Sequence, residues 1–393
     1  MNKGLLAAFL LCAMCISAGV KADETGKNDG TEIRTEHYLI LCNEEDGRTL
    51  ADEMEERFSV YNRLFRFYSN NASGPADNPM VVMVINDTET FNGYLNSQID
   101  FPYSSNSGAV YLHYNQNEGR KLIIDRSSGE AGANLPYLAF IQYLRGKVSN
   151  PPAWITYGFG VYFSSLNYSD GRLSYEENPD WLEKIKELKN LPPVEDILTA
   201  DSSALTDDYP GLAWSLVSFF LNSGNDEYKR TLTDCFMLLS DSVPAEENTK
   251  ILMERIARWN NMETLAADYR HYLDSRKTWT WLMEEGQRAY AAQDWTGAQF
   301  AFMAARNQKP SHFAPWYFLG LLAYEESRFD DAEQFYLKGL QLGADPALTA
   351  YALGLNAARA GRRTDAEKYL YEAARIAPER YKEKAENVLS QLY

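Results

Sequence analysis

Asn134-Leu-Pro-Tyr-Leu-Ala-Phe-Ile-Gln-Tyr-Leu144 is followed, after a short polar stretch, by Pro151-Pro-Ala-Trp-Ile-Thr-Tyr-Gly-Phe-Gly-Val-Tyr-Phe163. These two apolar runs read as two helices. The loop between them closes on Pro151-Pro152, and the second helix opens near Trp154, since proline is tolerated where a helix begins and not inside it. Residues before the pair alternate as short strands, and residues after it are helical. The pair is therefore the hinge of the chain.

Upstream, His37-Tyr-Leu-Ile-Leu-Cys42 predicts a strand, and Glu44 to Tyr68 a long helix with Leu50, Met54, Phe58, Tyr61 and Leu64 at helical spacing. Asn78 to Ile85 is a β-branched strand, after which Asn86-Asp-Thr caps a short helix through Phe91 and Tyr94. Ser107 to Tyr114 and Arg120 to Asp125 predict two more strands joined by a hairpin-like turn over Asn115–Gly119. The expectation is a mostly antiparallel sheet beside helices, an α+β arrangement over 37–126 with a helical part over 127–275. After residue 126 the strand signals stop. Helices are expected at Trp181–Leu188, Pro193–Leu198, Tyr209–Leu221, Glu227–Leu239, Asn248–Trp259 and Met262–Leu273. Tyr209–Leu221 is apolar nearly all round and reads as a core helix.

At 393 residues the chain predicts two or three domains. Its first 22 residues carry Lys3, an apolar run from Leu5 to Val20 and a small-residue end at Ala22, the layout of a secretory signal. The alternative is a lipoprotein anchored at Cys15, the only route by which a membrane enters the reading. Residues 23–36 are polar and Gly-containing and read as a linker. Beyond the signal only Cys42 and Cys235 remain, too few for a disulfide framework. They read as two isolated buried thiols or as one pair. The formal charge is −17, and −19 once Lys3 and Lys21 leave with the signal. Such a surface repels phosphate backbones and argues against a nucleic-acid partner.

From about Thr278 the chain repeats with a period of 34: Gly286, Gly320 and Gly354; Ala298, Ala332 and Ala366; Phe302, Tyr336 and Leu370; Ala305, Gly339 and Ala373. These registers resemble tetratricopeptide repeats, three copies over 278–393 followed by a capping helix from Glu379. Small residues let the two helices of a repeat approach, while the aromatic position is expected to fill the gap between neighbouring repeats. The resemblance implies an all-α solenoid in which each first helix lines a concave partner-binding groove. By register that puts Tyr290, Tyr317, Tyr324, Tyr351 and Arg359 toward the groove, an aromatic surface with one Arg that suits a protein or peptide partner.

Residues 37–275 resemble the gluzincin-type (peptidase MA-like) bacterial peptidases. In that family the first core helix carries HExxH and the second begins Trp-x-x-Glu-Gly-x-x-x-Tyr-Phe. Here Trp154, Gly158, Tyr162 and Phe163 match, but Tyr157 stands where the third zinc ligand should be. Pro136-Tyr-Leu-Ala-Phe140 replaces HExxH, so Pro136, Tyr137 and Phe140 occupy a degenerate former site, and a one-residue shift supplies neither His nor Glu. A catalytic zinc needs three protein ligands and a water. Tyrosine, with a pKa of about 10, is a poor substitute for a carboxylate. No cofactor or metal is implied.

The histidines after the signal, His37, His113, His271 and His312, lack metal-ligand spacing, and no Gly-x-Ser-x-Gly or P-loop pattern is present. Ser127-Ser-Gly-Glu130 reads as a loop or helix cap. The expectation is an exported pseudopeptidase of the bacterial envelope, periplasmic or secreted, acting as a protein-binding scaffold. The alternative is a peptidase or other hydrolase with a non-standard site.

Overall fold

In a computed structural model the described residues are 31–42, 47–65, 79–98, 108–113, 120–148, 150–175, 177, 179–201 and 205–392. The signal reading, Cys15, residues 23–30 of the linker reading and the Asn115–Gly119 turn lie outside them. The chain divides into two compact units, Met1–Glu177 with Lys184–Ser275, and Asn178–Glu183 with Arg276–Tyr393. The coarse architecture is α+β: a small mixed sheet, then a long succession of helices.

The first unit holds strands β1 (Thr31–Arg34), β2 (Tyr38–Cys42), β3 (Met80–Ile85), β4 (Ala109–Leu112) and β5 (Lys121–Asp125), in the order β1-β2-β3-β5-β4. The expected antiparallel character holds only at the two margins. The inner pairings β2–β3 and β3–β5 are parallel. Helix α1 (Gly47–Leu64) separates β2 from β3, and α2 (Thr88–Gln98) lies between β3 and β5, so each helix carries the chain back before the next strand starts. Strand β1 falls inside the stretch read as a linker. Its side chains are mostly exposed, but its backbone pairs with β2 from Thr31 opposite Cys42 to Arg34 opposite Leu39. An edge strand can be polar, because the ladder and not an apolar face holds it.

One face of the sheet packs Met83, Ile85, Val110, Leu112 and Ile123 against Phe91 and Leu95 of α2. Asp87 starts α2 by accepting the Thr90 N–H at 2.8 Å. At the start of β2 the His37 ring stacks on Phe58 at 3.6 Å, and its Nδ1 is hydrogen-bonded to Glu55 Oε2 at 2.7 Å. Burial would raise the Glu55 carboxyl, but hydrogen bonds from the Thr35 and His37 side chains and the His37 backbone N–H outweigh it and hold the group below its usual range. A depressed folded-state pKa adds stability above the unfolded carboxylate pKa and loses it as pH falls through the folded value. Glu55→Gln should therefore lower stability at neutral pH and flatten the acid limb of the unfolding profile. Urea titrations at pH 7 and pH 4 check this, and equal losses at both would contradict it.

Helices α3 (Ala131–Lys147) and α4 (Ala153–Ser164) follow. Helix α3 is buried without a break from Asn134 to Leu144 and is tied to the sheet where Gln142 Nε2 donates to the Val81 carbonyl at 2.8 Å. Strand structure does not end at residue 126: β6 (Leu166–Ser169) and β7 (Arg172–Tyr175) form an antiparallel hairpin. Asp170 and Gly171 turn it with φ of 52° and 75°, the two positive values that a two-residue hairpin turn requires. Helix α5 (Pro179–Glu187) is divided between the units, its residues 179–183 counted with the second, and five helices complete the first: α6 (Val194–Thr199), α7 (Tyr209–Asn222), α8 (Asp226–Leu238), α9 (Ala245–Trp259) and α10 (Met262–Ser275). Helix α7 is buried on every side from Tyr209 to Phe220. Cys42 and Cys235 are both buried thiols.

The second unit is a solenoid-like row of helices: α11 (Trp279–Ala291), α12 (Trp295–Gln308), α13 (Phe313–Glu325), α14 (Phe329–Gln341), α15 (Pro346–Arg359), α16 (Arg363–Ile376) and α17 (Pro378–Ser390). Its 34-residue step recurs in the backbone. The turns inside the three helix pairs place Gln293, Ser327 and Gly361 at φ 59°, 61° and 74°. The residue after each donates its N–H to Ala289, Ala323 or Ala357 at 2.8 to 2.9 Å. Only the third copy uses glycine at this left-handed position. The repeating aromatic does not fill the gap between repeats alone: Phe302 and Tyr336 sit on Gly286 and Gly320 of their own pair, where an added Cβ would come within 2.5 Å and 2.6 Å of the ring. Phe302 also stacks on Phe318 of the next helix at 4.8 Å.

Candidate functional site

Two places hold the residues that the sequence singles out. The first is the α3–α4 pair. Pro136, Tyr137 and Phe140 share α3, and all three are buried. The Pro136 carbonyl accepts from the Tyr61 hydroxyl at 3.4 Å. Phe140 lies among Tyr61, Phe65, Phe159 and Phe163, with ring centroids 4.8 to 6.0 Å apart. The Tyr137 ring covers Gly160 of α4: a Cβ there would stand 2.8 Å from Cδ2 and closer still to Cε2. Tyr157 is 4% exposed and meets Tyr209 of α7 edge-on at 5.8 Å. The Tyr209 hydroxyl donates to the Ile197 carbonyl at 2.9 Å, and burial pushes its pKa up, with Tyr157 adding to the effect.

Trp154, Gly158, Tyr162 and Phe163 also have packing partners. Trp154 meets Phe220, and Tyr162 stacks on Tyr175 of the hairpin at 4.9 Å. At Gly158 helix α4 crosses α7 so closely that a Cβ would lie 2.6 Å from the Ala213 carbonyl oxygen. These contacts describe side-chain packing, with no charged ligand set at Pro136, Tyr137, Phe140 or Tyr157.

The second place is the row of first helices in the second unit. Tyr290 is on α11, Tyr317 and Tyr324 on α13, and Tyr351 and Arg359 on α15. Three repeats are joined through Glu325: Tyr290 donates to its Oε1 at 3.4 Å, and Arg359 lies 3.8 Å from Oε2. The Arg359 guanidinium also stands 4.9 Å over the Tyr324 ring. Tyr317 lies 5.6 Å from Tyr336, and Tyr351 stacks on Tyr381 of α17 at 5.0 Å. Burial pushes the Tyr317 hydroxyl up to about 12, and Tyr381, Tyr290 and Asp345 are near enough to add to it. The Tyr317 phenol is therefore a neutral hydrogen-bond donor with a ring face at neutral pH.

Sequence reasoning missed Glu325 and Tyr381. Glu325 directly follows Tyr324, so its place at the end of a first helix was readable, but its role as a bridge was not. Tyr381 lies in the helix that the sequence presents as a cap, where Arg380 stands 5.1 Å from its ring and 3.0 Å from Asp345.

The histidines are separate. His37 lines an open pocket with Glu36, Glu55, Phe58, Ser59, Asn62 and Arg63. His113 accepts or donates at Tyr111 and is lowered to about 4, first by burial and then by Arg145 and Arg120. His312 caps α13 by accepting the Ala314 N–H, and His271 is exposed. The Ser127 stretch is a turn around Asp125, whose carboxylate accepts from Ser127 and Thr88 at 2.6 Å each. Among the described residues no group of three His, Cys, Asp or Glu could hold a metal, and no helix is long and apolar enough to cross a membrane.

In comparisons with known proteins, no family model matches the chain, and no curated protein matches it.

Proposed function

We propose that this chain is an exported, non-enzymatic scaffold: a degenerate peptidase MA-like domain followed by three tetratricopeptide repeats, which bind a protein or peptide partner along their first helices. The observation that carries this reading is the line of Tyr290, Tyr317, Tyr324 and Tyr351 on successive first helices, with Tyr290 joined through Glu325 to Arg359 and Arg359 standing over the Tyr324 ring. Aromatic rings with hydroxyl donors and one Arg are the residue types that dominate binding energy at protein interfaces. The close packing at Pro136, Tyr137, Phe140 and Tyr157 supports a former catalytic cleft that now serves as core. The export part of the reading rests on the signal-like residues 1–22.

Tyr317→Ala combined with Tyr351→Ala should remove at least about 2 kcal/mol of partner binding, so that pull-down from envelope extract loses the bound protein while circular dichroism still shows a folded chain. Undiminished partner recovery would take these helices out of the account. The loss of chemistry has its own test: stoichiometric zinc in purified protein together with casein cleavage would replace this reading with the enzymatic one.

A further inference from the structure

Helix α1 turns one face toward the open pocket at His37, which neither the α3–α4 pair nor the row of first helices uses. Glu55, Ser59, Asn62 and Arg63 line it from α1, and Glu36 and His37 from the start of β2. Its volume is about 470 Å³, within the range of small-ligand sites. Ser59 and Asn62 follow Glu55 at helical spacing, and Arg63 stands about 12 Å further along the axis at 1.5 Å of rise per residue. The charges sort by end. At one end the His37 Nδ1 is bound to Glu55, and Glu36 Oε1 lies 3.9 Å from Nε2. An ionised carboxylate only accepts, so Nδ1 carries the proton and the neutral ring turns a lone pair outward at Nε2. This end therefore offers acceptors and negative charge. At the other end Arg63 is exposed and, among the described residues, makes no hydrogen bond or ion pair. Its guanidinium only donates, in the fork geometry that matches a carboxylate.

We propose that this pocket binds a short peptide with both ends free, its amine at Glu36 and His37 and its carboxylate at Arg63. The middle of the pocket suits a peptide backbone. Asn62 Oδ1 accepts from the Tyr143 hydroxyl at 3.4 Å, which leaves its NH2 as the donor for the pocket. The Ser59 hydroxyl both donates and accepts. One carbonyl and one N–H of a bound peptide would meet these groups, whatever its side chains. Length follows from the spacing of the charged ends. An extended tripeptide spans at most about 10–11 Å, and the Arg63 side chain can reach back over the remainder. A single amino acid is too short to touch both ends. Polarity follows from the charges, since a reversed peptide would set its carboxylate against Glu36 and Glu55. The inference concerns the first unit alone and does not rest on the repeat groove.

Calorimetric titration of the full chain with tri-alanine should give a Kd below about 1 mM. N-acetyl-tri-alanine and tri-alanine amide, each missing one terminal charge, should bind at least about threefold more weakly, the scale of partly exposed charge pairs. Free alanine should bind no better than either. Each end then has its own variant. Arg63→Gln should make tri-alanine and its amide equal while leaving the N-acetyl form weaker, and Arg63→Lys should restore part of the difference. Glu36→Gln should do the converse, shrinking only the discrimination against the N-acetyl form. Both side chains are exposed, and melting by circular dichroism confirms that the variants are folded. A Kd above about 1 mM for tri-alanine overturns the proposal. So do blocked peptides that bind as well as the free one, free alanine that binds best, or an Arg63→Gln protein that still prefers the free carboxylate.

Discussion

Tyr157→Glu, which under the proposed peptidase-like reading puts a carboxylate where those peptidases carry one, should destabilise the protein and should not create a metal site. Tyr157 is 4% exposed, with its ring against Tyr209. A carboxylate there would lose its water without gaining a cation, and an uncompensated buried charge costs about 3–5 kcal/mol. Protonation relieves part of that cost by raising the folded-state pKa of the new group. The native state then holds the proton more tightly than the unfolded chain, so the variant's stability falls as pH rises from the unfolded carboxylate pKa through the raised folded one. The deficit relative to the parent should be smaller at pH 5 than at pH 7.5 in urea unfolding. Tyr157→Phe keeps the ring and should lose less than about 1.5 kcal/mol. A Tyr157→Glu protein as stable as the parent at both pH values, and able to take up zinc, would mean that the cleft is open.

Gly158→Ala should lose about 2–3 kcal/mol although alanine is the better helix former by about 1 kcal/mol. The added Cβ meets the Ala213 carbonyl oxygen at 2.6 Å and Val217 Cγ2 at 2.7 Å, and a backbone oxygen inside α7 cannot rotate away. The two helices must separate, opening contacts that include Trp154 with Phe220. Gly160→Ala offers the contrast, because its obstacle is the ring of Tyr137. Pairing it with Tyr137→Leu should recover much of the loss. A double-mutant cycle then gives a coupling energy well above the ~0.5 kcal/mol seen for independent sites. Additive losses would place Tyr137 elsewhere and remove its ring as the reason for glycine at 160.

Much of the secondary structure is legible in the sequence, and one of the elements it leaves out carries a signal of its own. The helix at Tyr209 is apolar on every face and the structure buries it on every face, so its period and its environment agree. The hairpin at 166–175 also carried a signal: Asp170-Gly171 flanked by Leu-Asn-Tyr-Ser and Arg-Leu-Ser-Tyr is a strong short-range turn cue. Helix patterns on both sides mask it. Strand β1 had no such cue, since Thr-Glu-Ile-Arg is polar and only pairing with β2 makes it a strand. The parallel inner pairings were not readable either, because strand direction depends on where the crossing helices dock.

At the candidate sites the division is similar. That Pro136, Tyr137, Phe140 and Tyr157 lack the donor atoms of a zinc site follows from residue type, which the chain states outright. What those side chains do instead required their neighbours: Gly160 beneath Tyr137, Tyr209 beside Tyr157, and an aromatic cluster around Phe140. The 34-residue step was equally plain in the residues, because every copy repeats the same local spacing of small and large side chains. That Glu325 bridges Tyr290 and Arg359, or that Tyr381 stacks on Tyr351, was not. Periodicity and donor chemistry are properties of residues close in the chain, whereas partners distant in the chain are chosen by how whole helices pack. For this reason composition and spacing speak to elements and to missing chemistry, while folding decides which side chains meet and which surface they leave exposed.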